Sequence, residues 1–126
     1  MDIEDQKQLS KDPDGLATYQ YIANHIDDCD EDMPFLVDNM IKVDATGQFT
    51  VSAARYLATI DRNRFSRHID RLIAAAIDKD REHRYIAELL PSIWGADWQA
   101  HAPQLVLTDD NFRRIYKRVS APQVGL

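Results

Sequence analysis

Few residues of this chain have the types and spacing that chemistry requires. His25 and Cys29 are four residues apart, a separation that lets two zinc ligands share one face of a helix. A structural zinc ion takes four protein ligands, and Cys29 is the single cysteine of the sequence. We therefore predict no metal ion and no other cofactor, and we name His25 and Cys29 as the candidate ligands should a metal be present.

The other candidates for ion binding and catalysis each lack a necessary partner. Asp28, Asp30 and Asp32 alternate like the start of a calcium loop. Such a loop needs Gly at its sixth position and Glu at its twelfth, which here hold Met33 and Asn39. No His-Glu-x-x-His motif is present, and the 4 glycines are too scattered to cradle a phosphate. We predict no catalytic residues, so a metal-assisted enzyme is the last of three functional hypotheses.

Basic residues recur at helical spacing on two segments. The first, around residues 64–78, carries arginines three and four residues apart, opposite Phe65, Ile69 and Leu72. A helix there, following a turn and another helix, could present these arginines to nucleic acid, which is our second hypothesis. The net charge of −6 opposes it, and a solvated helix face is the alternative. The predicted basic face comprises Arg64, Arg67, Arg71, Arg114 and Arg118.

Two tryptophans lie close together in the sequence. Trp94 and Trp98 are four residues apart on either side of Gly95, with Tyr85 upstream. Aromatic side chains carry large apolar areas and usually belong to a core, but Trp and Tyr also dominate binding hot spots. Trp94, Trp98 and Tyr85 are therefore the predicted interaction surface, with burial in the core as the alternative.

Charge is unevenly distributed along this acidic chain. Residues 1–46 hold 12 acidic and 3 basic residues, whereas residues 47–126 hold 9 acidic and 12 basic ones. The acidic first part and the basic second part could attract each other within one chain, between copies, or towards different partners.

Length and composition limit the class of protein. The chain has 126 residues, 44% hydrophobic and 29% charged, which suits one soluble globular domain over residues 1–126. Strictly apolar stretches such as Leu72–Ile77 are far shorter than the roughly 20 residues that cross a bilayer. The single cysteine and an acidic N-terminus predict a cytoplasmic protein without membrane association.

Apolar periodicity predicts helices along the first half of the chain. A first helix opens at Asp12-Pro13 and keeps an apolar face as far as Cys29. Asp32 is the predicted cap of a second helix. The sequence Asp44-Ala45-Thr46-Gly47 then predicts a turn, because Gly accepts a positive φ without penalty.

The second half is also predicted to be helical. Residues 48–90 contain neither Gly nor Pro and hold two or three helices, the last of them capped by Asp80. Pro103 is expected to stop a short turn, and Thr108 to cap a final helix. The apolar residues 105–107 are too few to demand a strand.

These patterns predict an all-α fold, a compact bundle of six or seven short helices packed as helical hairpins. Residues 1–11 and 120–126 are expected to be loose ends, and no repeated unit of about 30 to 45 residues is apparent. The first functional hypothesis is a small protein-interaction or regulatory module without catalytic chemistry. It would bind another protein or a second copy of itself through helix faces and the aromatic anchor.

Overall fold

All regular secondary structure in the part of the chain that the structure describes is helical. The computed structural model of the protein describes residues 1–120, which contain a turn of 3₁₀-helix at Ile86–Glu88 and no β-strand. Its α-helices are α1 (Ile3–Ser10), α2 (Leu16–Asn24), α3 (Met33–Val43), α4 (Gln48–Asp61), α5 (Ser66–Lys79), α6 (Leu89–Trp94), α7 (Trp98–Thr108) and α8 (Asp110–Ser120). The all-α prediction is confirmed, with eight helices over these residues where six or seven were expected. Beyond Ser120, the predicted loose end lies outside the described residues.

Two layers of helices lie side by side. Helices α1, α3, α5 and α8 contact one another in that order and form the first layer, while α2, α4, α6 and α7 form the second layer in the same way. The consecutive pairs α1–α2, α3–α4 and α5–α6 each give one helix to each layer, and the most extensive contact is between α4 and α5. We use the word hairpin for each pair together with the corner that joins its two helices. The pair α7–α8 closes the stack with its two helices in the reverse order.

The core fills the space between the layers. In α5 the apolar residues recur at three- and four-residue steps, and this face is buried against the second layer. Burying one such side chain contributes about 1.5–3 kcal/mol. The largest fully buried side chains come from both layers and include Ile22, Met33, Leu36, Met40, Leu57, Phe65, Leu72, Ile86, Leu89 and Phe112.

Residues 1–11 are not loose, in contrast to the prediction. Asp2 caps α1 by accepting a hydrogen bond from the N–H of Asp5 at 2.8 Å. Leu9 is buried, and its carbonyl oxygen accepts a hydrogen bond from Nδ2 of Asn39 at 2.9 Å. Leu9 is the one buried side chain of α1, so hydrophobic periodicity does not reveal this helix.

Helix α2 is shorter than the helix that was predicted to open at Asp12-Pro13. It begins at Leu16 and ends at Asn24, and the following residues form turns up to the start of α3. The apolar steps continue through Ile26 and Cys29, and Cys29 is buried although it is not helical. Cys29 is therefore buried at the predicted spacing without belonging to a continuous helix.

Proline and the last cap also differ from the prediction. Pro103 lies inside α7, which runs on to Thr108 and includes residues 105–107. Asp109 rather than Thr108 caps α8, since its Oδ1 accepts a hydrogen bond from the N–H of Phe112 at 3.1 Å.

Candidate functional site

The first hairpin turns at a corner built on Asp12. Oδ1 of Asp12 accepts hydrogen bonds from the N–H groups of Asp14 and Gly15 at 3.2 and 3.0 Å. Oδ2 accepts from both the N–H and the hydroxyl of Thr18 at 2.7 Å. Burial by itself raises the pKa of Asp12, but the hydrogen bonds from Thr18, Gly15 and Asp14 together hold it below its ordinary value. The carboxylate thus supplies acceptors to the free N–H groups at the start of α2.

The second hairpin repeats this corner atom for atom. Oδ1 of Asp44 accepts from the N–H groups of Thr46 and Gly47 at 3.1 and 3.0 Å. Oδ2 accepts from the N–H and the hydroxyl of Thr50, both at 2.8 Å. Asp44 is fully buried, so these bonds offset the loss of water around its charge. The predicted turn and the positive φ of Gly47 are confirmed, with φ at 90°.

The third corner retains the aspartate but not the glycine and threonine of the first two corners. Asp80 accepts hydrogen bonds from the N–H groups of Arg84, Tyr85 and Ile86 at 2.9, 2.7 and 2.9 Å. His83 has a φ of 56° and occupies the place that Gly15 and Gly47 hold in the other corners. Asp80 ends α5, and the helical segment that it was predicted to cap begins only at Ile86, from whose N–H its carboxylate accepts a hydrogen bond. Tyr85, which was predicted to act with the tryptophans, lies at this corner.

The three corners stack on one another along one edge of the molecule. A Cβ atom added to Gly15 would lie 3.2 Å from Cβ of Asp44, and one added to Gly47 would lie 3.4 Å from Cβ of Asp80. Gly15 and Gly47 therefore provide both the positive φ and the room for the next corner.

A sequence signal for this repeat exists. The pattern Asp-x-x-Gly-x-x-Thr occurs at residues 12–18 and again, 32 residues later, at 44–50. The third corner follows after another 36 residues and retains only the aspartate. The structure therefore differs from the expectation that no unit of this length repeats. The repeated feature is a backbone corner, and in the sequence only its Asp, Gly and Thr recur.

A groove of about 360 Å³ crosses the second layer from α2 over α4 to α6. Nε of Arg55 donates to Oγ of Ser92 at 2.9 Å, and its Nη1 lies 3.3 Å from Oε2 of Glu88. The rings of Tyr19 and Tyr56 meet edge to face, with centroids 6.1 Å apart. Sequence reasoning missed the groove because its residues come from three helices and share no spacing. The lining residues are Tyr19, Ser52, Arg55, Tyr56, Thr59 and Ser92.

Two arginines of the predicted basic face contact the acidic first part of the chain, although Arg64 lies in the turn before α5 and not on the predicted helix. Nε of Arg64 donates to Oδ2 of Asp30 at 2.8 Å, and Nη2 of Arg71 lies 2.8 Å from Oδ1 of Asp38. Hydrogen bonding to Arg64 lowers the pKa of Asp30. Part of the opposite charge of the two chain halves is therefore neutralised within one molecule.

Two of the other predicted basic residues also make contacts within the chain. Nη2 of Arg114 lies 2.8 Å from Oδ1 of Asp78, and Nη1 of Arg118 donates to the carbonyl oxygen of Arg114 at 3.0 Å. Arg67 is exposed and, within residues 1–120, has no carboxylate partner. The five arginines do not form one free cationic surface.

The two tryptophans, at the end of α6 and the start of α7, pack against aromatic side chains of α8. Trp94 lies edge to face on Phe112 at 5.3 Å, and Trp98 contacts both Phe112 and Tyr116 at 6.1 and 6.2 Å. Nε1 of Trp94 donates to Oδ2 of Asp109 at 2.8 Å. Both tryptophans remain half-buried, so each contributes to the core and presents an edge to solvent.

The structure does not place His25 and Cys29 on one helical face, because α2 ends at Asn24. His25 is exposed and stacks on Tyr21, with ring centroids 3.9 Å apart. Cys29 is buried, and this burial, followed by the charges of Asp30 and Asp28, raises the pKa of its thiol. Across residues 1–120 no cluster of three or more His, Cys, Asp or Glu side chains could hold a metal ion.

No protein-family model, curated protein or solved structure matches this chain. Within the described part of the chain, no helix combines the length and the apolar character needed to span a membrane. The described residues form a compact all-helical fold in which three aspartate corners stack along one edge.

Proposed function

We propose that this chain is a cytoplasmic protein-interaction module that binds an extended peptide segment of a partner protein in the groove on its second layer. The groove of about 360 Å³ across three neighbouring helices carries this proposal. Stacked helical hairpins offer extended surfaces of this kind, since successive units add equivalent helix faces side by side. The function requires recognition and no catalytic chemistry.

Arg55 is the positioned cation of the groove. Its bonds to Ser92 and Glu88 fix the guanidinium at the junction of α4 and α6. An arginine whose orientation is already fixed loses less conformational freedom when it binds a carboxylate. Nη2 of Arg55 makes no hydrogen bond within residues 1–120. We therefore assign an acidic side chain of the peptide to this nitrogen, so that the peptide shares the guanidinium with Glu88.

The rest of the lining suits a peptide backbone and its side chains. Tyr19 and Tyr56 supply rigid aromatic surface, while Ser52, Thr59 and Ser92 supply hydroxyl groups. This combination of tyrosine with small hydroxyl residues is the one that antibody binding loops use for peptide and protein surfaces. The groove thus takes the role that the sequence suggested for Trp94 and Trp98, whose rings also pack internally.

A random peptide library displayed on phage tests the proposal with the wild-type protein as bait. We expect selected peptides to share an Asp or Glu, and replacing it by Asn or Gln should weaken binding about tenfold. Arg55→Gln should cause a similar loss for the same peptides. The control is Arg67→Gln, which removes an exposed arginine from α5 and should leave binding unchanged.

Three results would contradict the proposal. Selection without any recovered peptide would remove the binding function, and equal binding by Arg55→Gln and wild type would remove the groove as its site. Peptides selected without an acidic residue would contradict the assigned chemistry. Sedimentation at several protein concentrations would show whether a second copy of the chain occupies the groove instead, in which case Arg55→Gln should shift the dimer towards monomer.

A further inference from the structure

A second pocket lies between the second and third corners. Its volume is about 360 Å³, and residues from both corners line it. Ala45 and Thr46 come from the turn before α4, and the opposite side is formed by the turn after α5. The lining residues that carry charge or a hydroxyl group are Thr46, Lys79, Asp80, Arg81, Glu82, Arg84 and Tyr85.

The pocket is cationic although the protein is acidic. Three basic side chains, Lys79, Arg81 and Arg84, line it, against the carboxylates of Asp80 and Glu82. Asp80 is buried, and its oxygens are held by three backbone N–H groups of the third corner. Its charge is therefore already compensated inside the corner and does not compete for a ligand in the pocket.

Two of the three cations have no carboxylate partner within the described chain. Glu82 pairs with Arg84, whose Nη2 lies 2.5 Å from Oε2. Lys79 and Arg81 make no ion pair among residues 1–120. Their charges are left for a bound anion, in contrast to Arg64 and Arg71, which face Asp30 and Asp38.

We propose that this pocket binds a phosphomonoester group. A dianion suits a pocket with several cations, because lysine contributes a point charge while arginine donates two parallel hydrogen bonds to phosphate oxygens. Lys79 and Arg81 are the primary ligands, and Arg84 becomes available when its contact with Glu82 loosens. The hydroxyl groups of Thr46 and Tyr85 are the neutral donors of the pocket. The site is independent of the peptide groove.

Titration with inorganic phosphate, followed by amide chemical shifts in NMR spectra at constant ionic strength, tests this site. We expect saturable shifts at residues 45–46 and 79–85 of the wild-type protein, and no comparable shifts with chloride. The double variant Lys79→Gln/Arg81→Gln should weaken binding about tenfold or more. Glu82→Gln should tighten it, because the variant removes the competing carboxylate and frees Arg84.

The matched control is Lys7→Gln/Arg67→Gln, which removes the same charge from exposed positions on α1 and the first turn of α5. Arg67 is 12 residues from Lys79, about 18 Å along the helix. Equal phosphate binding by the two double variants would overturn the proposal, as would shifts that never saturate.

The phosphate could belong to a phosphorylated protein side chain or to a free small molecule, and two further ligands separate these sources. A short phosphoserine peptide that binds more tightly than inorganic phosphate would indicate a protein source. A sugar phosphate that binds more tightly than that peptide would indicate a small molecule. If the wild-type protein bound a peptide in the groove but showed no saturable shifts with phosphate, this site alone would be refuted.

Discussion

Replacing Asp44 by Asn should destabilise the protein strongly, although the two side chains have nearly the same shape. Asp44 is fully buried and accepts hydrogen bonds at both oxygens, including those from the N–H groups of Gly47 and Thr50. Asn has one oxygen, so its amide nitrogen must face one of these two sets of donors. The hydroxyl of Thr50 can turn and accept, but a backbone N–H cannot.

The magnitude follows from this geometry. An unpaired buried N–H costs about 1–3 kcal/mol, and the remaining hydrogen bonds lose about 1 kcal/mol because their acceptor is no longer charged. We expect a loss of about 2–4 kcal/mol from the free energy of unfolding, which for a domain of this size is about 5–15 kcal/mol. Urea denaturation followed by far-ultraviolet circular dichroism measures this loss.

The control for Asp44→Asn is Asp14→Asn in the first corner. Asp14 is exposed, and its carboxylate accepts from the N–H of Leu16 at 3.0 Å. This substitution should cost less than about 1 kcal/mol, because the one oxygen of Asn can still accept from Leu16 and its amide nitrogen faces water. If the two variants unfolded within about 1 kcal/mol of each other, the corner would not stabilise the stack as argued here.

Three further perturbations test the packing. Gly15→Ala should cost about 1–3 kcal/mol more than Gly47→Ala in urea denaturation, since both have positive φ but only the Cβ at 15 would come within 3.0 Å of Sδ of Met40. Trp98→Ala should cost about 2 kcal/mol by the same assay, because its half-buried ring packs on two others. Burial, followed by the charges of nearby arginines, lowers the pKa of His68 below its ordinary 6.5. The stability that this provides is complete above that value and falls as pH falls through the folded pKa, so His68→Leu should flatten the decrease in urea midpoint between about pH 7 and about pH 5.

The helical class and several local features could be predicted from the sequence because they depend on local chemistry. Gly47 and Asp80 are examples, since a positive φ and a capping carboxylate are each specified within a few residues. The end of α2 could not be predicted from the apolar pattern. Cys29 continues the helical spacing of the buried residues in α2, although the chain around Cys29 is not helical. Leu9 alone is too little signal for α1.

The groove and the phosphate pocket could not be predicted for a different reason. Each is formed by side chains from successive hairpins, such as Tyr19, Arg55 and Ser92 in the groove. Their proximity depends on the register between hairpins, which the stacked corners set through Gly15 and Gly47. No spacing within a single helix contains that information.

Because both proposed sites lie between hairpins, ligand binding and the integrity of the stack should be linked. A ligand that binds only the stacked form stabilises it by about 2.7 kcal/mol at a concentration of one hundred times its dissociation constant. That contribution is comparable to the effect expected for Asp44→Asn, whereas exposed ion pairs such as Arg71–Asp38 contribute about 0–1 kcal/mol each. The uneven charge of the chain therefore contributes little to the stability of the stack. Its main consequence is that some basic side chains have no carboxylate partner within the part of the chain that the structure describes. Among those cations are Lys79 and Arg81, at the junction of two hairpins where binding an anion would stabilise the stack.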